Sequence, residues 1–464
     1  MNKKFLKFFF FIFSLACNLA FCQSIPNEFK EFHKRKLLID SGKNWNQNSI
    51  FGPQRRIHSK SKTDSLIINS RFGIQALTKG RALYGFGHFT YKNNFHGYLY
   101  SRVVNYPDLF ERYSGIPRDI SRYGFTSGET DLSGICLEND WLIFQFGRGR
   151  ESWGAGNDIQ LGLSEKSNSY DYGMLDLDFG NLRVRYFNGY LETDSLFINR
   201  YITGRGIEWN NKKNLLFALS EVVIYSGKNR VLDFSYLNPI STHLEIELNN
   251  KQNDLGTDSG NGVWQLSMDY LFQKSIKFSF NFLFDEFVLD QVQKDANKNN
   301  EGGYSFRILY VSNLLGKNNF SNFYFNIIKI GTNTFRHEDG NNNFVARGKP
   351  LGWNHGSDGR ESKFGLNLYN DSINMLINGS LGKRDLGTNS LNENSYSPYV
   401  NYYSNPFPSG DFRKILFLQL GVQWWYKTYL SFAIKFDHEK VEKYDNQSKL
   451  EAGFDIYFPL KTKI

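Results

Sequence analysis

Long apolar runs, proline and clustered histidines are scarce in this chain of 464 residues. Beyond the N-terminus, no stretch approaches the roughly 20 apolar residues that a membrane-spanning helix needs. Only 10 residues are proline, which suits a chain of paired strands because proline cannot donate to a sheet ladder. The 8 histidines are scattered without metal-ligand spacing, so we expect no metal and no cofactor. No basic helix suggests binding to nucleic acid.

An alternation of apolar and polar residues recurs almost to the C-terminus. It is clearest at 275–284, SIKFSFNFLF, where Lys277, Ser279 and Asn281 fall between the aromatic residues. Successive strand side chains point to opposite faces, so such a segment has one apolar face and one polar face. That pattern is typical of a barrel whose outside meets lipid and whose inside meets water. The residues predicted to face lipid are Phe278, Phe280, Phe282, Tyr304, Phe306, Phe432 and Ile434.

Eighteen segments between residues 71 and 458 fit this strand pattern. The sequence therefore predicts an all-β fold, a transmembrane antiparallel β-barrel of about 16–18 strands with a short N-terminal helical or irregular segment. Tight turns are expected at Asn93-Asn94, Asn139-Asp140 and Gly180-Asn181. Long connections, including HEDGNNN at 337–343, are expected as solvated loops on the cell surface.

The first residues resemble a secretory signal. Lys3, Lys4 and Lys7 precede a short apolar core at 8–16, and the small residues that follow suit cleavage before Gln23. Removing three lysines takes the net charge of the chain from +9 to +6, which would suit an acidic glycan or anionic lipid headgroups. The same charge also fits lysines that are merely distributed over loops.

The predicted organisation has three parts. Residues 1–22 form the signal peptide, 23–65 a periplasmic segment or plug, and 66–464 the outer-membrane β-barrel. The segment after Pro26 has the pattern of a short amphipathic helix. Cys17 and Cys22 leave a lipid anchor open as an alternative to simple cleavage.

Four stretches are more particular than barrel composition requires. They are GRGRESWGAGN from Gly147, LSEVVIY from Leu219 with YLNP from Tyr236, FDEFV from Phe284 and GKPLGWNHGSD from Gly348. Their order and spacing resemble the capsule assembly protein Wzi family of the outer membrane. The resemblance is clear between residues 147 and 360, whereas the flanks agree only in barrel character.

The resemblance implies a lectin-like barrel of about eighteen strands, without catalytic activity, that binds or organises surface polysaccharide in the outer membrane of a Gram-negative cell. Aromatic rings and arginines are the side chains that an acidic glycan requires. The candidate polysaccharide-binding residues are Arg148, Arg150, Glu151, Trp153, Asn157, Tyr225 and Tyr236. The alternative is that the segment from Gly147 is a structural elbow with inward ion pairs, and that Glu221 pairs in the lumen with Arg183 or Arg185.

Two other functions compete with this interpretation. A general porin or solute channel is possible for any barrel. An outer-membrane phospholipase is suggested by GWNHGSDGR at 352–360, where His355 would be the base and Ser357 the nucleophile. Asp358 stands where that family has Asn, and we therefore expect no catalytic residues. The expected partners are surface polysaccharide and outer-membrane lipid, while the sequence leaves the oligomeric state open.

Overall fold

The computed structural model describes residues 25–40, 45, 48–52, 65–253, 260–273, 275–286, 291–295, 300–312, 319–398 and 406–464. The predicted signal peptide and its cleavage point lie outside these residues. The strands are β1 (Leu66–Leu77), β2 (Arg81–Tyr91), β3 (Phe95–Val104), β4 (Ser127–Glu138), β5 (Leu142–Gly149), β6 (Tyr170–Phe179), β7 (Leu182–Thr193), β8 (Ile198–Asn210), β9 (Leu215–Lys228), β10 (Asn261–Phe272), β11 (Ile276–Glu286), β12 (Glu301–Ser312), β13 (Asn319–Ile330), β14 (Val345–Ala346), β15 (Lys349–Pro350), β16 (Gly359–Asn370), β17 (Met375–Leu386), β18 (Arg413–Lys427), β19 (Leu430–Val441) and β20 (Gln447–Lys463).

In the described part of the chain, eighteen of these strands form one closed antiparallel sheet, while β14 and β15 form a separate small hairpin. Each barrel strand pairs with its neighbour in sequence, and β1 closes the barrel against β20, where Phe72 lies opposite Phe458. All eighteen predicted segments are confirmed as strands. A closed sheet leaves no edge with unpaired backbone groups, which is what a lipid environment requires.

The two ends of the barrel differ in their connections. The turns after β2, β4, β6 and β8 are short and lie at the end where β1 begins and β20 finishes. The connections at 105–126, 150–169, 229–260, 331–358 and 387–412 all emerge at the opposite end, which we call the long-loop end. In barrels of the outer-membrane type the short turns face the periplasm and the long loops face outside.

The predicted register of the strands is confirmed. On β11, Ser279 and Asn281 are fully buried in the lumen, while Phe282 on the alternate face is 41% exposed. Tyr304, Phe432 and Ile434 are likewise exposed on the outer surface. Apolar side chains outside and polar side chains inside therefore follow from the strand period of two.

The helices are short and are not part of the barrel wall. They are α1 (Lys30–Asp40), α2 (Phe234–Leu237), α3 (His243–Leu248) and α4 (Gln291–Asp295). None of the helices in the described ranges has the length and apolar character to cross a membrane. Helix α1 follows Phe29, which packs edge-on against Phe86 and Tyr100 on the inner wall, so this segment lies inside the barrel.

The interior contains a hydrophobic core of the kind found in soluble proteins. Inward-facing residues such as Phe187, Ile202 and Ile328 pack against residues of the 150–169 and 331–358 loops, including Trp153 and Phe344. Burial of apolar surface contributes about 25 cal/mol per Å². The two loops are therefore held in the lumen by the same force that holds a domain core together.

The register makes a direct prediction about insertion. Phe280 lies near the middle of β11 on the outer face, so Phe280→Arg would place a charge in lipid at a cost of about 2–4 kcal/mol. We expect a smaller folded fraction in vesicles, measured by the shift between unheated and heated samples on a denaturing gel. Phe280→Leu is the control and should insert normally. Equal insertion of both variants would show that this face does not meet lipid.

Candidate functional site

The 150–169 loop folds into the lumen and forms the centre of its filling. Trp153 is 2% exposed, and its ring lies 4.7 Å from Phe51 and 5.2 Å from Phe187. Gly154 has φ +134° and Gly156 has φ +71°, values that non-glycine residues rarely adopt, so these glycines permit the bend around the tryptophan. The loop thus provides a packed wedge inside the barrel.

Charged residues of the same loop are paired with the inner wall. Arg150 forms a buried ion pair with Asp131 of β4, and its Nε donates to the Ser167 carbonyl at 2.9 Å. Glu151 lies 3.2 Å from the Arg185 guanidinium of β7 and accepts from the Trp153 indole at 2.8 Å. Burial raises the pKa of Glu151, although Arg185 opposes that shift. A buried charge requires such partners, since isolated burial is costly.

Asn157 connects this loop to α1. Its side chain donates to Asp40 at 2.8 Å, and Asp40 accepts from Arg307 of β12 at 3.2 Å. Nearby, Glu208 of β8 accepts from the Ile50 amide at 2.6 Å. These contacts join the N-terminal segment, the 150–169 loop and the barrel wall into one network. We call these described residues together, 25–40, 45, 48–52 and 150–169, the plug.

A second charged cluster lies where α1 meets the loop. The Lys36 ammonium is 3.0 Å from Asp158 and 2.9 Å from Glu165. Burial alone would raise the pKa of both carboxyls, but nearby cations outweigh it, with Lys36 the foremost for each carboxyl. The pKa of Asp158 is held well below its ordinary value, and that of Glu165 is also lowered. Both carboxylates are therefore ionised at neutral pH.

The 331–358 loop also enters the barrel, which corrects the expectation that HEDGNNN is a solvated surface loop. Asn342 and Asn343 are fully buried. Arg200 of β8 donates to the Asn343 carbonyl at 2.7 Å and the Val345 carbonyl at 3.0 Å. A Cβ at Gly352 would lie 1.7 Å from the Leu161 carbonyl oxygen, so only glycine allows the two inward loops to meet so closely.

Tyr225 and Tyr236 lie on the outside of the barrel wall. Tyr225 belongs to the outer face of β9, and residues 229–253, which we call the outer strap, fold back over it. The Tyr225 and Tyr236 rings stack with centroids 4.3 Å apart, and both residues are fully buried. Their stacking attaches the strap to the wall.

The prediction that Glu221 pairs with Arg183 or Arg185 is wrong. Glu221 lies on the outer face of β9, whereas those arginines point into the lumen. Its partner is Arg205 on β8, at 3.2 Å and directly opposite in register. Glu221 also accepts from the His243 amide of the outer strap at 3.1 Å.

Among the candidate residues, Arg148 and Asn157 are the two that are half-buried, and the side chain of Arg148 is 26% exposed. It lies on the outer face of β5, where its guanidinium makes two bonds to Asp171 of β6, at 2.9 and 2.6 Å. Arg150, Glu151, Trp153, Tyr225 and Tyr236 are all less than 5% exposed. Direct contact with a polymer requires exposed side chains, which these five residues do not provide.

The segment containing His355 and Ser357 is a loop that precedes β16, not a strand. Ser357 is fully buried; its hydroxyl oxygen lies 3.4 Å from the Thr332 carbonyl and accepts from the Leu391 amide at 3.4 Å. The ring of His355 packs against Trp353. Within the described ranges, no cluster of three or more histidine, cysteine, aspartate or glutamate residues could hold a metal ion.

The β14–β15 hairpin exposes a residue pair that sequence reasoning missed. Its tip, Arg347-Gly348, has φ +50° and +74°, the left-handed values of a tight hairpin turn. The Tyr396 hydroxyl accepts from the Gly348 amide at 2.9 Å and donates to Glu192 at 2.8 Å. Arg347 and Tyr396 are both exposed beside each other at the long-loop end. Only the Arg-Gly turn signal could have indicated this tip.

The fold defines a large β-barrel of the outer-membrane type. No protein-family model matches the chain, and no curated protein matches it in sequence. Among solved structures it is similar to Wzi of Escherichia coli, described as an outer-membrane protein involved in group 1 capsule assembly and a carbohydrate-binding β-barrel. The TM-score is 0.60 at 12% identity, over 86% of this chain and 85% of that one.

Barrels of Pseudomonas aeruginosa are matched less well. OprD has a TM-score of 0.45 at 10% identity, over 86% of this chain and 95% of that one. OpdQ has a TM-score of 0.43 at 7% identity, over 86% of this chain and 97% of that one. At these identities the similarities describe the fold alone.

The Lys36 cluster predicts a pH-dependent stability of the plug. Because the folded-state pKa values of Asp158 and Glu165 are lowered, their contribution is present above about pH 4 and lost as the pH falls through those values. Lys36→Met removes the ammonium that contacts both carboxylates. We expect it to lower the melting temperature in detergent at pH 7, measured by tryptophan fluorescence, and to differ less from the wild type below pH 4.

Lys34→Met is the matched control, because Lys34 pairs with Asp371 at a more exposed position and such pairs contribute little. It should melt like the wild type at both pH values. A Lys36→Met variant that matches the wild type at pH 7, or that diverges further in acid, would contradict the assigned role of the cluster.

Proposed function

We propose that this protein is a non-enzymatic outer-membrane barrel that binds or organises anionic surface polysaccharide at its long-loop end. The observation that supports this proposal most is the filled interior of an eighteen-stranded barrel with the fold of a carbohydrate-binding barrel. A wide barrel that is filled in this way suits a rigid platform for a polymer better than a conduit for solutes.

The exposed hairpin tip supports the same proposal. Arg347 supplies a planar cation that can bind a sugar carboxylate through two hydrogen bonds. Tyr396, 41% exposed, supplies an aromatic face that can cover the apolar side of a sugar ring. The Tyr396 hydroxyl is held by the Gly348 amide and by Glu192, so little freedom of that ring would be lost on binding, and the Arg347 guanidinium lies 3.4 Å from the Ser114 hydroxyl.

The earlier candidate residues acquire a supporting role in this proposal. Arg150, Glu151, Trp153 and Asn157 hold the plug in the lumen, while Tyr225 and Tyr236 hold the outer strap. Substituting them would alter polysaccharide binding only through the shape of the barrel. The stretches that resemble the Wzi family would thus support polysaccharide binding without contacting the polymer.

A solute channel is the competing function, and barrel width alone favours it. A channel needs a continuous water path, whereas Trp153, Phe344 and Leu351 occupy the middle of the lumen. The phospholipase alternative has less support, because the Ser357 hydroxyl is buried among backbone groups. An esterase activity that Ser357→Ala abolishes would nevertheless overturn the non-enzymatic proposal.

The test is a binding titration of the purified protein with an acidic surface polysaccharide and with its carboxyl-reduced form. Arg347→Ala with Tyr396→Ala should weaken binding of the acidic form roughly tenfold or more, equivalent to about 1.4 kcal/mol. Wild-type binding should also weaken with added salt, because exposed charge pairs are screened.

The control removes a similar cation and ring at the opposite end of the barrel. Lys427 lies 5.8 Å over the Tyr429 ring near the short turn after β18. Lys427→Ala with Tyr429→Ala should leave binding unchanged. Binding that survives the Arg347 and Tyr396 substitutions would move the site elsewhere, and the absence of any wild-type binding would reject the proposal.

A further inference from the structure

Five cationic side chains follow one another around the outside of the barrel near its long-loop end. They lie on the consecutive strands β13, β16, β17, β18 and β19. The residues are Lys329, Arg360, Lys383, Lys414 and Lys440, which we call the cationic row.

The register places these residues at nearly one height. Lys329 lies opposite Arg360, and Arg360 lies opposite Asp385, whose other partner is Lys414. Lys383 and Lys440 both lie opposite Leu416, two residues nearer the middle of the barrel wall. Adjacent strands are about 4.8 Å apart, so the row spans about 19 Å.

Strand alternation shows that the row points outward. Each cation is followed or preceded by a buried residue of the inner face: Ile328, Glu361, Arg384, Ile415 and Val441. The side chains of Arg360 and Lys383 are each 51% exposed. The row is therefore a feature of the outer wall and takes no part in the network inside the lumen.

The row marks the border of the apolar outer surface. Toward the barrel middle the outward positions become apolar, among them Phe364, Leu381 and Leu416, which are 54–58% exposed, although Ser362 and His438 are the next outward residues after Arg360 and Lys440. Long cationic side chains at such a border extend their charge to the headgroup level while their stems lie along apolar surface. At the other end of β18 the border carries Trp424 and Tyr426 instead.

The cations are only partly neutralised by the acids that contact them. Asp385 lies 2.8 Å from Arg360 and 3.7 Å from Lys383, and Glu442 lies 3.1 Å from Lys414. Five cations and these two acids leave a net charge of +3. On the opposite side of the barrel, by contrast, the outward Arg148 is matched by Asp171.

We propose that the cationic row binds the phosphate groups of a phosphorylated membrane lipid in the leaflet at the long-loop end. A phosphate group offers several acceptor oxygens to lysine and arginine. The acyl chains of the lipid would lie on the apolar wall below the row. The position of the charges directly above that wall favours a lipid over a soluble polyanion. The inference rests on the proposed membrane location and is independent of polysaccharide binding.

The test compares retention of diphosphoryl and dephosphorylated lipid A by the detergent-solubilised protein in native mass spectrometry. The variant is Lys383→Gln with Lys414→Gln and Lys440→Gln, which retains Arg360 as the partner of buried Asp385. Loss of three headgroup-level cations should weaken binding of the diphosphoryl lipid roughly tenfold or more. The dephosphorylated lipid should bind weakly to wild type and variant alike.

The control substitutes three exposed lysines at the short-turn end, Lys92→Gln with Lys213→Gln and Lys427→Gln, and should retain the lipid as the wild type does. Should the triple variant fail to fold on a heat-modifiability gel, Lys383→Gln alone and a salt titration of the wild type provide the measurement. Equal binding of both lipids, no loss in the row variants, or no salt dependence would overturn the proposal. Loss of acidic polysaccharide binding with lipid binding intact would instead assign the row to the polymer.

Discussion

Two buried arginines of one strand impose the strongest constraint on this molecule. Arg183 and Arg185 of β7 point into the lumen and are at most 1% exposed. Charges so far from water must be paired and hydrogen-bonded. Arg183 binds Asp176 on the adjacent strand β6 and donates to the Phe51 carbonyl at 3.0 Å. Arg185 lies against Glu151. The wall therefore binds the N-terminal segment and the 150–169 loop in its interior.

The barrel wall and the interior are stabilised by different interactions. The wall is held by main-chain hydrogen bonds that any alternating sequence can make. The interior is held by particular side chains, with Trp153 in the apolar core and Arg200 bound to carbonyls of the 331–358 loop. Removing one member of a buried ion pair leaves an uncompensated charge, which is far more costly than losing an exposed pair. The surface at the long-loop end is thus supported by a rigid interior.

The wall could be predicted from the sequence, because the period of two is a local pattern. The alternation within each strand shows which of its residues face the lumen and which face outward. The alternation at 275–284 alone placed Ser279 inside and Phe282 outside. The inward folding of the loops could not be predicted in the same way. HEDGNNN has the composition of a solvated loop, and its burial depends on Arg200, which is more than 130 residues earlier in the chain. The close approach of Gly352 to Leu161 is likewise invisible until both loops are in place.

The candidate site shows the same division. For the motif from Gly147, the interpretation as a structural elbow with inward ion pairs matches the contacts of Arg150 and Glu151. Tyr225 and Tyr236 have rings suited to sugars, but the two rings stack against each other between the barrel wall and the outer strap. Sequence identifies residues with the chemistry for recognition, whereas exposure is decided by contacts between distant segments.

The plug and the 331–358 loop together close the barrel, and single-channel recording in a planar bilayer tests this most directly. The wild-type protein should show almost no steady conductance. A variant that lacks residues 154–162, and thus the middle of the 150–169 loop, should open stable channels at the same protein concentration. Steady wild-type conductance equal to that of the deletion variant would contradict the claim and favour a solute channel.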